Sequence, residues 1–418
     1  MGTDDRTTVS LGYLCEGIYD GPHATPKKTS HGPIFLGISN LSHGRLDLTE
    51  VEHLSEEDFI KWTHRVTPKA GDIVFSYETR LGEAVLIPDR LRCCLGRRMG
   101  LLRVNHKKAD PRFLLYAYLA PEFQDIIRAR TIHGSTVDRI PLIDLPDFPI
   151  TIPPLPEQRV IAHILGTLDD KIELNHQMNK TLEEIGKTIF KHWLIDFEFP
   201  NEKGKPYKSS GGEMTYNEEL GKDMPKDWLV KPLDEVADFS NGLAMQKYPA
   251  ESENEFLPVI KIKELREGVT DSSDKASPNI PEAYVVVNGD VLFSWSGSLE
   301  VVIWTSGRGA LNQHLFKVTS KDYPKWFYYY WLLQHLPEYR RIAEGKATTM
   351  GHIQRHHLKS SLVFVPDRTV LQTMDKILSP VVEKIIGVNI QSRNLSQMRD
   401  LLLPRLMSGK MRVPVEAR

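Results

Sequence analysis

Cysteine is scarce in this sequence: Cys15, Cys93 and Cys94 are all there is. An odd number with no C-x-x-C pair excludes a disulfide framework and a zinc ribbon. Long apolar runs are also missing, and none approaches the ~20 residues of a membrane span. The opening Met1-Gly2-Thr3-Asp4-Asp5-Arg6 is polar, with no apolar core of a leader behind it. The expectation is a cytoplasmic protein with no membrane partner. Excess positive charge is absent too, since the net charge is −2. That excludes a uniformly basic binding module; a nucleic-acid reader of this balance must localise its cations. Catalytic signatures are lacking as well. There is no G-x-x-x-x-G-K-[ST] loop, no Gly-rich cofactor loop with an Asn/Asp-Pro-Pro-Tyr motif, and no Gly-x-Ser-x-Gly elbow around Ser76 or Ser294. No catalytic residue, no metal and no cofactor is expected in this chain.

What is present suits a soluble globular protein: 418 residues, 40 % hydrophobic and 26 % charged, enough for two or three domains. The chain also repeats itself. Val9–Leu14 resembles Val230–Val236, with Leu11 facing Leu233 at an offset of 222. Gly71-Asp72-Ile73-Val74-Phe75-Ser76 matches Gly289-Asp290-Val291-Leu292-Phe293-Ser294 at an offset of 218. Ile152-Pro153 matches Val365-Pro366 at an offset of 213. Three matches in one order indicate a duplication with small losses in the loops.

Each half runs into a long helical stretch. Pro156 suits a first helical position, with Glu157 and Gln158 in the first turn. A seam then recurs at alternating spacings of three and four: Leu165, Leu168, Ile172, Asn175, Asn179, Leu182, Gly186, Ile189 and Trp193. The same phase, 213 residues on, reads Leu378, Val381, Ile385, Val388, Ser392, Leu395, Arg399, Leu402 and Leu406. This is coiled-coil spacing, and its polar positions are either register devices or solvent-facing breaks. One helix over 156–194 would reach about 57 Å. Pro404 is expected to kink or end the second helix. If the halves are related by a pseudo-two-fold axis, the two helices run antiparallel.

The predicted fold class is mixed α/β (α+β): two tandem pseudo-symmetric globular domains separated by two long antiparallel coiled-coil helices. The expected boundaries are 1–152 and 226–365 for the globular domains, 153–199 and 366–418 for the helical regions, and 200–225 for a linker. Residues 203–212, rich in Gly, Lys and Ser, read as exposed. Strands are expected at 72–76, 283–287 and 290–295. The run 324–333 suits a buried helix, with Trp326, Phe327 and Tyr329 in the core.

Pro154-Leu155-Pro156-Glu157-Gln158-Arg159, Leu168-Asp169-Asp170-Lys171-Ile172 and Ile189-Phe190-Lys191-His192-Trp193 resemble the central region of the specificity subunits of type I restriction–modification enzymes. Leu402-Leu403-Pro404-Arg405-Leu406-Met407-Ser408-Gly409-Lys410 is similar to that family's C-terminal signature, and 204–214 to a family linker. The resemblance implies that each half is a target recognition domain reading one part of a split double-stranded DNA site. It implies that the helices act as a ruler and dock two methyltransferase subunits. Subunit docking would then involve the helix seam, at Leu165, Leu168, Ile172, Leu182, Ile189, Trp193, Leu378, Val381, Ile385, Leu395, Leu402 and Leu406. S-adenosylmethionine and adenine-N6 chemistry would belong to the methyltransferase subunits. ATP- and Mg-dependent cleavage would belong to a motor-nuclease subunit.

DNA contact calls for Arg, Lys, Ser or Thr at phosphates and for paired donors and acceptors at base edges. Loops after the repeated strand supply Ser76, Tyr77, Thr79 and Arg80, and Ser294, Trp295, Ser296 and Ser298. The acid-free run Arg90–Lys108 adds Arg97 and Arg98. A further set is Arg340, Arg341, Lys346, Thr348, Thr349, His352, Gln354 and Arg355, with Arg128, Arg130, His133, Ser135 and Thr136 as its counterpart. Asn312, Gln313 and His314 offer amide and imidazole edges.

The alternative function is a self-contained Mg-dependent endonuclease, because Pro146-Asp147 with Asp169-Asp170-Lys171 satisfies a PD…D-x-K pattern. Its aspartates, however, flank seam positions on a helix where that nuclease core needs a strand. His352 and His356, four apart, would share a helix face, but no ligand set is completed around them.

Overall fold

The computed structural model describes residues 5–42, 44–134, 137–345 and 351–414. The chain forms two compact units, one of 1–171 with 395–418 and one of 172–394. They share a central topology. Each has a four-stranded sheet in which the repeated Gly-Asp segment feeds an inner strand. In unit 1 that sheet consists of Cys15–Asp20, Met99–Val104, Ile73–Ser76 and Ala84–Leu86, in that order. In unit 2 it consists of Asp238–Asn241, Leu315–Thr319, Val291–Ser294 and Val301–Ile303.

Alternation along the repeated strand explains why it is apolar throughout. Ile73 and Phe75 face one core while Val74 faces another, and Val291 and Phe293 are divided from Leu292 in the same way. Side chains two apart share a face, so a strand covered on both faces reads as an unbroken apolar run. The preceding turn is also duplicated. Gly71 (φ 85°) and Gly289 (φ 92°) are left-handed, which glycine adopts without a Cβ clash. The next residue closes each turn on itself: Asp72 Oδ2 accepts Lys69 N at 2.9 Å, and Asp290 Oδ2 accepts Val287 N at 2.8 Å. Each carboxylate also holds one cation, Arg103 at 2.8 Å and Lys317 at 2.9 Å.

In each unit a strand ahead of the central sheet pairs with one that follows it. Thr7–Ser10 lies antiparallel to Pro149–Ile152, and Leu229–Pro232 to Leu362–Val365. Leu11 N donates to Phe148 O, and Leu233 N to Ser361 O, each at 2.8 Å. The predicted match of Leu11 with Leu233 is therefore a match of position as well as of sequence, and both are fully buried. Helices Pro111–Leu119 and Pro121–Arg130 cover the sheet in unit 1, while in unit 2 the helix Lys325–Glu344, with Pro337 inside it, packs against the sheet. Trp326, Phe327 and Tyr329 are buried in the unit 2 core, as expected.

The central helix spans Leu155–Phe190 and continues through one π-turn, Lys191–Ile195. The C-terminal helix spans Arg368–Met407. None of the eighteen seam positions is exposed, which validates the predicted phase. Within unit 2 the helices run antiparallel, because Asn175 Nδ2 donates to Gln391 Oε1 (3.0 Å) and Asn179 Nδ2 to Asn389 Oδ1 (2.6 Å). Both asparagines are buried, so they are not solvent-facing breaks, and Ser392 returns its hydroxyl to Val388 O. Gly186 admits the Tyr330 hydroxyl to 1.8 Å of where a Cβ would stand.

Asn175 Oδ1 has no hydrogen-bond partner. Asn175→Leu removes that orphan acceptor and frees the exposed Gln391 to water. Stability is expected to hold or rise by about 1 kcal/mol, read as the urea midpoint. A loss of more than 1 kcal/mol would instead show that the amide pair is worth more than its desolvation.

Three expectations need correction. Pro404 does not end the second helix, which runs to Met407 and closes at the left-handed Gly409 (φ 74°). The missing proline N–H leaves only the carbonyl of exposed Asp400 without its partner, where water can serve. The strand expected over 283–287 is confined to Val285–Val286, after a 3-10 turn at Glu282–Tyr284. Residues 203–212 carry exposed turns, yet Tyr207 stacks on Phe199 at 4.5 Å and its hydroxyl donates to Glu213 O, tying the segment down. Among the described residues no helix is long and apolar enough to cross a membrane. Burial pushes all three thiols up to about 12, so they stay protonated and unreactive at neutral pH.

Candidate nucleic-acid interface

The repeated strand leads in each unit to a tight loop at the same end of the sheet, and three segments meet there. In unit 1, Tyr77 N donates to Arg98 O at 3.2 Å, Ile140 N to Tyr77 O at 2.8 Å, and Glu78 bridges Arg139. In unit 2, Trp295 N donates to His314 O at 3.3 Å, Ile353 N to Trp295 O at 2.9 Å, and Ser296 bridges His352. The backbone frame is one and the same. Tyr77 corresponds to Trp295, Glu78 to Ser296, Thr79 to Gly297, Arg98 to His314 and Arg139 to His352. Thr79 (φ 68°) and Gly297 (φ 65°) share the left-handed turn position.

The first residue of each loop is an anchor. Ser76 and Ser294 are fully buried, with hydroxyls donated to Glu78 O and Ser298 O at 2.7 Å each. They shape the loop and present nothing to a ligand. Tyr77 and Trp295 follow as wedges against the sheet; the Tyr77 hydroxyl and Trp295 Nε1 are buried without hydrogen-bond partners. Burial pushes the Tyr77 phenol up to about 12, so it remains a neutral donor.

Beyond the wedges the two frames carry unlike chemistry. In unit 1, Arg98 Nε lies 3.0 Å from Glu78 Oε2, and its Nη1 donates to Thr79 Oγ1 at 3.1 Å. Arg80 pairs with Glu83 at 3.2 Å, exposed His133 with Asp138 at 3.2 Å, and Arg97 is exposed without an ion-pair partner among the described residues. In unit 2, Ser296 Oγ lies 3.0 Å from His314 Nδ1, and Gln313 Nε2 lies 3.3 Å from His314 Nε2. With the Gln313 amide donating, Nδ1 carries the proton and donates to Ser296. His352 packs edge-on to Trp295 at 6.4 Å. Arg355 reaches back to Phe239 O at 3.2 Å and lies over the Phe316 ring, so it braces the sheet.

The structure therefore gathers Tyr77, Arg80, Arg97 and Arg98 in one unit, and Trp295, Ser296, Gln313, His314 and His352 in the other. Ser135, Thr136, Lys346, Thr348 and Thr349 lie outside the described residues. Glu78 and Arg139 escaped the sequence reading. Glu78 follows Tyr77 directly in the loop, and Arg139 is found by taking the 213 offset back from His352. The run Arg90–Lys108 is not one basic face: Arg92 is bidentate on Glu56, Arg103 is held by Asp72, and Lys108 donates to Tyr13 O.

The nuclease pattern does not assemble a metal site. Asp169 accepts from Tyr116 Oη at 2.6 Å and Arg399 at 2.9 Å, while Asp170 pairs with Arg112. These carboxylates are neutralised by guanidinium groups on a helix. Among the described residues no group of three or more His, Cys, Asp or Glu could hold a metal ion. His352 and His356 do not share a helix, since that helix begins at Arg355, and His357 Nδ1 caps it by accepting from Gln354 N at 2.9 Å.

The family model of the type I restriction modification DNA specificity domain matches twice, over residues 37–184 and 225–394. The chain belongs to the type I restriction–modification specificity family. Two curated relatives are specificity subunits. That of the MjaIX enzyme of Methanocaldococcus jannaschii is 30 % identical, over 67 % of this chain and 64 % of its own length. That of the HindI enzyme of Haemophilus influenzae is 23 % identical, over 82 % of this chain and 87 % of its own. The fold matches a crystal structure of a type I restriction–modification S subunit from M. genitalium with a TM-score of 0.58 at 15 % identity, covering 97 % of each chain. Specificity subunits recognise DNA, are non-catalytic on their own and carry no cofactor themselves. The paired loop frames thus stand in a DNA-recognition protein, and their side chains are candidates for the reading.

Proposed function

We propose that this chain reads a two-part double-stranded DNA target, one part by each unit, and presents it to two methyltransferase subunits. The carrying observation is the duplicated loop frame with unlike side chains: Glu78, Arg98 and Arg139 against Ser296, His314 and His352. One backbone frame supplies the same approach to DNA twice, and different side chains supply different base preferences. The recognition domains are taken as 1–152 and 226–365, with 153–199 and 366–418 as helical regions and 200–225 as the linker. Because the seam side chains are turned inward, the outer faces of the helices are the surfaces left for docking. S-adenosylmethionine, and the ATP and Mg used with a motor subunit, belong to the partners. The seat of action is cytoplasmic.

The test is adenine-methylation mapping in DNA from cells expressing the chain with its methyltransferase subunits. A split motif is expected, and Gln313→Ala with His314→Ala should alter one part only. Binding should weaken steeply between low and physiological salt, because phosphate contacts release counterions. An assembled complex that leaves no mark at any split motif would refute the proposal.

A further inference from the structure

Arg98 and Glu78 form an ion pair that directly links two segments of the unit 1 loop frame. Their side chains are 34 % and 25 % exposed, enough to meet a ligand and too little to swing freely. A guanidinium has five N–H donors. Nε lies 3.0 Å from Glu78 Oε2 and one Nη1 hydrogen goes to Thr79, which leaves the second Nη1 hydrogen and both Nη2 hydrogens for a ligand. Glu78 gives Oε2 to Arg98 and keeps Oε1 as an acceptor. The pair therefore presents donors beside an acceptor, in a fixed order.

The backbone holds that order against its own preference. Thr79 (φ 68°) and Arg98 (φ 73°) are both left-handed, a conformation that non-glycine residues seldom adopt and that tends to mark functional sites. In unit 2 the equivalent turn position is Gly297, which bears no such strain, and His314 and Ser296 replace the ion pair. Unit 1 thus retains strain where it aligns a guanidinium with a carboxylate.

Resting on the proposed DNA-reading role, we infer that the Arg98–Glu78 pair is a specificity determinant of unit 1 that reads a G·C base pair in the major groove. Guanine offers two adjacent acceptors, N7 and O6, to the free edge of the fork, and cytosine offers its N4 donor to Glu78 Oε1. An A·T pair offers acceptor, donor, acceptor and then a methyl group, so it would set the adenine amino group against the fork and the thymine O4 acceptor against the carboxylate. In unit 2 the same point of the frame has no arginine. The equivalent base pair in its part of the target is read without a guanidinium.

The full-length chain, assembled with its methyltransferase subunits, is incubated with a random duplex library and the bound DNA is sequenced. The wild type should enrich a split motif with a G·C pair in one part. Arg98→Ala and Glu78→Gln should each lower the preference at that position by roughly tenfold or more, leaving the other part unchanged. Arg98→Lys keeps the charge without the planar fork, so it should retain most of the affinity and lose the preference. It also keeps the test decisive if the alanine variant fails to fold, which thermal melts would reveal. All three variants preferring the same bases at every position would overturn the assignment while the DNA-reading role stands. A wild-type complex that enriches no motif would overturn both.

Discussion

Trp326→Ala is expected to destabilise unit 2 by about 3 to 5 kcal/mol, the range for deleting a large aromatic side chain from a packed core. Trp326 is fully buried, lies edge-on to Phe327 at 5.6 Å, and donates Nε1 to Asp375 Oδ1 at 2.9 Å. Alanine would leave a cavity and take a donor from a half-buried carboxylate on the C-terminal helix. Trp326→Phe keeps most of the bulk and loses the hydrogen bond, so a loss of about 1 kcal/mol is expected. Urea unfolding of both variants separates packing from hydrogen bonding. An alanine variant within 1 kcal/mol of wild type would mean that the helix Lys325–Glu344 is loosely packed.

Asp169→Ala should cost about 3 kcal/mol, because it strands a cation rather than deleting a surface pair. Asp169 and Arg399 are 21 % and 17 % exposed, and Asp169 also accepts from Tyr116 Oη, whose phenol burial drives well above its usual range. Removal leaves Arg399 with only Asp400, which is mostly in water, and leaves Tyr116 without its acceptor. Replacing both members of the pair with leucine should cost far less than the single change, since no charge is then left unpaired. A double-mutant cycle in urea measures the coupling. Single and double variants of equal stability would show that the pair contributes nothing. The same experiment bears on the nuclease alternative: a carboxylate that matters through Arg399 and Tyr116 should respond to denaturant and not to Mg²⁺.

The duplication, the long helices and the inward phase of the seam were legible in the sequence, because they rest on local rules. Gly71 and Gly289 mark left-handed turns that a side chain resists. Ile73–Ser76 and Val291–Ser294 are apolar because both sheet faces are covered. Leu165, Ile172, Leu378 and Ile385 recur at the spacing that keeps one helix face inward. Asn175 and Asn179 already declared a polar stretch of that seam.

The reading surface was legible only in pieces. Arg98, Arg139 and Glu78 are distant in sequence, and nothing local says that Tyr77 N meets Arg98 O or that Ile140 N meets Tyr77 O. Nor could sequence separate Ser76 and Ser294, whose hydroxyls are spent inside the loop, from Ser296, whose hydroxyl faces His314. Periodicity and backbone chirality act over a few residues, so they determined the repeat and the seam. Which polar side chains are used internally, and which are set side by side for a ligand, was decided by strand pairing and loop closure between segments far apart in the chain.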